Sequence, residues 1–160
     1  MDSKTQATMI RIAKTNLQRD GSLMPVCFME MSSKVKGKTN LSIIGLDFTN
    51  AICKNACFRM IKKVVLEKGV KSLLIITDAW RTIKDKGTIE NGKFVMPSMD
   101  PEREECLCAE YGDKDGSTWT MIPYKKLESG IQFDKPTTMN YKIGDKDLSG
   151  NIPDIMEAFK

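Results

Sequence analysis

The chain has 160 residues, 41% of them hydrophobic, enough apolar material to close the core of one domain of ordinary size over residues 1–160. Its 25 basic and 21 acidic side chains leave a net charge of +4 with the signs interleaved, a balance without the concentrated basic stripe of a nucleic-acid-binding surface. Histidine is absent, which excludes Ser-His-Asp and Cys-His nucleophile systems and imidazole-ligated zinc within the chain.

No apolar run approaches the length of a membrane-spanning helix; the longest is Leu73 to Ile76. The start, Met1-Asp2-Ser3-Lys4-Thr5-Gln6, has neither the basic nor the apolar region of a signal peptide. Five cysteines, an odd number, fit a reducing compartment better than a disulfide framework. A cytoplasmic location without membrane attachment is the expectation.

Residues 4–19 read as a helix, with Ile10, Ala13 and Leu17 on one stripe and Asp20-Gly21 as the C-cap. Leu23 to Met31 reads as a strand that starts near an edge because of Pro25. A polar turn over Ser32 to Asn40 leads into a return strand, Leu41 to Leu46. Asp47 to Thr49 opens a second helix that runs to about Lys68, with Cys53, Cys57, Met60, Ile61 and Val64 on its apolar face and Gly69 closing it. Ser72 to Thr82 reads as a central strand, apolar on both faces. Lys84 to Pro101 is a long irregular connection, of a length that usually marks function or mobility. Glu104 to Tyr111 and Ser117 to Lys126 form a hairpin around Asp113 to Gly116, with Pro123 marking an edge or a bulge. Ile131 and Phe133 predict a further short strand, and Ile152 to Phe159 a closing helix. The order predicts an α+β fold: one mostly antiparallel sheet of five or six strands, two main helices and a short C-terminal helix. The crossover through the second helix leaves room for one parallel pairing.

Three groups of side chains carry chemistry. Cys53 and Cys57 lie one helical turn apart and Cys106 and Cys108 alternate on a strand, but without Cys-x2-Cys knuckles they read as small hydrophobes rather than as a metal site. Arg59, Lys62 and Lys63, with Lys34, Lys36 and Lys38 in the first hairpin turn, offer charge to an anion but no interleaved aromatic rings to stack on bases. Asp78, Trp80 and Arg81 at the end of the central strand face, across the long connection, Pro97-Ser98 and Pro101-Glu102-Arg103-Glu104-Glu105. If the two strands pair, Asp78, Trp80, Arg81, Arg103 and Glu105 converge on one cleft suited to a polar ligand or a peptide. No glycine-rich phosphate loop is present, and Gly144 to Gly150 is too short for a calcium loop.

Several segments together resemble a family of uncharacterised small proteins of prokaryotes and their viruses: Asp20-Gly21 with Pro25, Thr77-Asp78-Ala79-Trp80, Pro97-Ser98, Pro101-x-Arg103-x-Glu105, Asp113-Lys114-Asp115-Gly116 and Ile152-Pro153-Asp154-Ile155. Where that family more often carries Glu, this chain has Asp78. The resemblance implies fold and compartment, and no activity. A weaker resemblance is to the JAB/MPN fold of metalloisopeptidases: the order helix, hairpin, helix, strand is compatible with it, and Glu30 and Ser98 fall at suggestive places; without histidine, such a member would be non-catalytic.

The expected function is that of a binding or adaptor domain with a protein partner, a host protein if the chain is viral, working through the Trp80 to Glu105 region without a cofactor. A homodimer through an exposed edge of the strand over residues 117–126 is a further expectation. A histidine-free enzyme using Asp78, Glu102, Glu104 or Glu105 with magnesium, and an anion- or nucleic-acid-binding module, are the alternatives.

Overall fold

Two helices and seven strands form among the residues that the structure, a computed structural model, describes: 1–33, 35, 38–81, 102–142 and 155–159. Helix α1 (Ser3–Asp20) starts where the Asp2 carboxylate accepts the Thr5 N–H at 2.7 Å, and it stops at Gly21, whose left-handed φ of 73° closes the cap. Strands β1 (Val26–Ser32) and β2 (Thr39–Gly45) form the first hairpin. Asp47 folds into a side-chain turn with Thr49, so the cap of α2 (Ala51–Lys68) falls to Asn50, whose side chain accepts from Cys53 N at 2.9 Å.

The buried stripe of α2 is Phe58, Ile61 and Val65. Met60 is 40% exposed, one position away from the apolar face on which its spacing had placed it. Cys53 stays half-exposed, while Cys57 packs against the core and its thiol also accepts from the Asp47 N–H and donates to its carbonyl, tying down the helix start.

Strand β3 (Val70–Arg81) follows, and with β4 (Glu104–Asp113), β5 (Gly116–Leu127), β6 (Gly130–Phe133) and β7 (Thr137–Tyr141) it completes one sheet in the order β2-β1-β3-β4-β5-β6, with β7 also on β5. Every pairing is antiparallel. The crossover through α2 does join two strands that run the same way, but β1 lies between them, so no parallel ladder forms. The sheet has one more strand than the upper expectation; β7 is the addition.

Strand alternation divides the core in two. Leu74, Ile76, Leu107, Ala109, Ile122 and Tyr124 pack with Phe28 beneath Ala13 and Leu17 of α1. Leu73, Ile75, Cys27 and Met29 pack on the other side with Phe58, Ile61 and Val65 of α2 and with Ile155, Met156 and Ala158 around a closing 3-10 turn (Glu157–Phe159). Each buried leucine or isoleucine contributes about 1.5–3 kcal/mol, so the central strand, which feeds both layers, carries much of the stability.

Strand β5 is not an open edge. Its outer side pairs with β7 over Ser117–Met121 and with β6 over Tyr124–Leu127. Pro123, which has no N–H, sits at the break, and its carbonyl accepts the Asp134 N–H at 2.8 Å. The expected self-pairing edge is therefore occupied.

Candidate functional site

The antiparallel register of β3 and β4 decides what meets what. Trp80 pairs with Glu105, Arg81 with Glu104 and Asp78 with Leu107. Directly paired residues share a face, so Asp78, Trp80 and Glu105 stand on the α1 side, while Arg81 and Glu104 turn to the α2 side. Of the five expected site residues, four gather on one face. Arg81 belongs to the other, as the period of two requires.

On the α1 side the guanidinium of Arg103 lies over the Trp80 ring at 4.6 Å from its centroid, and the indole remains 48% exposed. The Glu105 carboxylate accepts from Lys126 Nζ at 2.7 Å, and that ammonium lies 5.8 Å above the Tyr124 ring. Tyr124 donates its hydroxyl to Asp78 Oδ1 at 2.6 Å. Burial, and then the Asp78 carboxylate beside it, push the Tyr124 hydroxyl well above the ordinary tyrosine value, so it stays a proton donor at neutral pH. Phe133 meets the Tyr124 ring edge-on at 5.9 Å and carries Lys14 of α1 at 4.6 Å. An open cleft of about 450 Å³ lies beside this surface, lined among others by Arg103, Glu104, Glu105, Tyr124, Lys126 and Asp134; Asp78, Trp80 and Arg81 do not line it.

Composition and local pattern do not single out Tyr124 and Lys126. The two-residue turn Lys114-Asp115 does: counting back from it puts Tyr124 opposite Glu105. The long connection between β3 and β4, including Pro97, Ser98 and Pro101, lies outside the described residues, as do Lys34, Lys36, Thr82, the 144–150 turn and Ile152 to Asp154.

The carboxylates expected to serve an enzyme are already engaged. Asp78 accepts from a phenol, Glu104 from Arg81 Nε at 3.0 Å and Nη2 at 2.9 Å, and Glu105 from Lys126. Among the described residues, no three of His, Cys, Asp or Glu surround a point where a metal ion would sit. Of the basic set on α2, Lys63 pairs with Glu67 at 3.9 Å, one helical turn away, and Arg59 is exposed. Glu30 is held by the N-terminal ammonium and by Ser72, whose hydroxyl donates to it at 2.9 Å.

The α2 side of the same strands holds a second group that sequence reading left in the core. Cys106 and Cys108 touch, Sγ to Sγ 3.8 Å, with the Cys108 thiol donating. That hydrogen bond, with Arg81 nearby, makes Cys106 the more acidic of the two, and Cys108 is pushed up in turn. Glu110 follows on the same face, opposite Trp119. Its Oε1, the Trp119 Nε1 and the Ser117 hydroxyl are buried, and none closes a hydrogen bond among the described residues. Burial pushes the Glu110 carboxyl up to about 8, against the weaker pull of the Lys54 charge. Alternation along β4 would have put Glu110 on the Cys106 face, but its burial depends on what packs over that face.

All five cysteines are free thiols, and among the described residues no helix is long and apolar enough to cross a membrane. The chain matches no protein-family model, no curated protein and no solved structure.

Proposed function

We propose that the chain is a non-catalytic binding or adaptor domain whose partner is a protein, docking on the α1-side surface of Trp80, Arg103 and Glu105, with the buried Tyr124 beneath them. The observation that carries this reading is the half-exposed Trp80 held beneath the Arg103 guanidinium. Tryptophan and arginine dominate the energetics of protein interfaces, because each buries a large area and offers a polar handle. Here the two are stacked before any partner arrives, so less side-chain freedom is lost on binding. The Glu105–Lys126 ion pair and Asp134 supply a polar rim, the usual surround of such an anchor. Five free thiols support a reducing, cytoplasmic setting. The resemblance to proteins of prokaryotes and their viruses favours a partner in a prokaryotic cell, a host protein if the chain is viral.

Affinity capture with quantified stoichiometry tests this. A partner retained at a fixed ratio by the wild-type chain is lost with Trp80→Ala and with Arg103→Ala. It is kept with Ile52→Ala, a control on α2 where the side chain is 79% exposed. An unchanged partner set across all four proteins would move the site elsewhere.

A further inference from the structure

The α2-side face of β4 and β5 carries three sulfur-bearing side chains, Cys106, Cys108 and Met121. Cys106 and Cys108 share this face, their Sγ atoms 3.8 Å apart. The register puts Met121 of β5 directly opposite Cys108 and on the same face. Side chains so paired have Cβ atoms about 5 Å apart, well within the reach of a flexible thioether. We propose that Cys106, Cys108 and Met121 form a binding site for a soft monovalent metal ion, copper(I).

The distance between the thiols fits a shared metal. Two metal–thiolate bonds of about 2.3 Å whose sulfurs lie 3.8 Å apart subtend an angle of about 110°. That angle alone suits zinc as well as copper. The donors decide between them: zinc takes four ligands from thiolate, imidazole and carboxylate, and among the described residues no third such group joins the pair. A thioether beside two thiolates is instead the soft set that selects copper(I). Binding converts two thiols to thiolates and releases two protons, leaving the copper dithiolate with one negative charge. Arg81 stands on this face, its side chain only 15% exposed, and its positive charge acts on both sulfurs, opposed at Cys106 by its ion-pair partner Glu104.

A disulfide is the competing product, and strand geometry opposes it. Alternate residues of a strand have Cα atoms about 6.5–6.8 Å apart, at the far end of what a disulfide spans. Closing the bond would draw the sulfurs from 3.8 Å to about 2.05 Å and bend β4, which is hydrogen-bonded on both sides to β3 and β5. A bridging ion needs no such movement. Cys106 is fully buried and Cys108 half-buried, so the ion would arrive through Cys108 and rest out of water.

The test is an anaerobic titration of the reduced chain with copper(I) against bicinchoninate, a chromogenic chelator, using a Cys53→Ser/Cys57→Ser variant to remove the thiols of α2. One copper(I) per chain is expected to leave the chelator. Cys108→Ser is expected to lower the affinity by at least about a hundredfold and Met121→Leu by about tenfold, with folding checked by circular dichroism. Copper binding that survives Cys108→Ser, or that vanishes with Cys53→Ser/Cys57→Ser alone, would overturn the site. Unchanged affinity in Met121→Leu would overturn the three-sulfur assignment, and displacement by equimolar zinc would overturn the choice of metal.

Discussion

Glu110 makes the stability of this protein fall as pH rises through the neutral range. Burial raises its carboxyl from 4.5 to about 8, so the folded chain keeps a proton that the unfolded chain has already lost. A carboxyl raised in this way contributes its full stability below the unfolded value, and that stability is lost as pH climbs toward the folded value, at about 1.4 kcal/mol per pH unit in between. From about pH 5 to about pH 7.5 the loss amounts to about 3 kcal/mol, or about 6–12 °C in Tm for a chain of this size. Few other groups interfere in that window. The chain has no histidine. The carboxylates that the fold holds low, Asp2, Asp20, Glu30 and Asp47, change stability only at more acid pH, where they take up protons. Urea unfolding of the metal-free protein, followed by circular dichroism across the window, measures the slope. Glu110→Gln keeps the shape and removes the charge, so its profile should be flat and its stability at about pH 7.5 higher by about 3 kcal/mol. A wild-type profile that is flat or rising, or a glutamine variant with the wild-type slope, would refute the buried, uncompensated carboxyl.

Gly116 has a positive φ of 152°, and a Cβ there would stand 2.3 Å from the Tyr141 carbonyl oxygen. Gly116→Ala should therefore cost about 2–3 kcal/mol in urea unfolding and loosen β7, seen as faster amide exchange over Thr137–Tyr141. Tyr124→Phe removes the hydroxyl that donates to Asp78 and should destabilise by about 1–2 kcal/mol at an unchanged urea m-value. Trp80→Ala should cost less than about 1 kcal/mol in stability, because the ring is half in water. The same change should remove most of the acrylamide-quenchable tryptophan fluorescence and leave the half-buried Trp119 as the remaining emitter.

The fold was legible where one local rule sufficed. Leu17, Asp20 and Gly21 mark the end of α1, and the two-sided apolar run from Leu73 to Ile76 marks a strand between two layers. The turn between Asp113 and Gly116 sets the register of the hairpin it joins. Strand β7 was not legible. Thr137-Thr138-Met139-Asn140-Tyr141 has little apolar alternation, and it becomes a strand because the outer side of β5 before Pro123 offers backbone partners. Met60 was misplaced because α2 turns Phe58, Ile61 and Val65 to the core, a choice made by packing against Ile75 and the closing turn.

The candidate site was legible in its members and not in its form. Pairing of the two strands brings Asp78, Trp80 and Glu105 together, and alternation alone would have sent Arg81 to the opposite face. The stacking of Arg103 on Trp80 depends on a backbone path just before β4 that no periodicity specifies. Tyr124 and Lys126 come from a third strand, and their places follow only once the hairpin register is known. The thiol pair was read as small hydrophobes, and Cys106 is fully buried; the contact between the two sulfurs follows from alternation along β4.

The central claim is that Trp80 anchors a protein partner. Isothermal titration of the captured, purified partner against wild-type chain and Trp80→Ala tests it most directly. The account predicts a loss of at least about 2 kcal/mol, about thirtyfold in Kd, with folding intact. A change smaller than about twofold would contradict it.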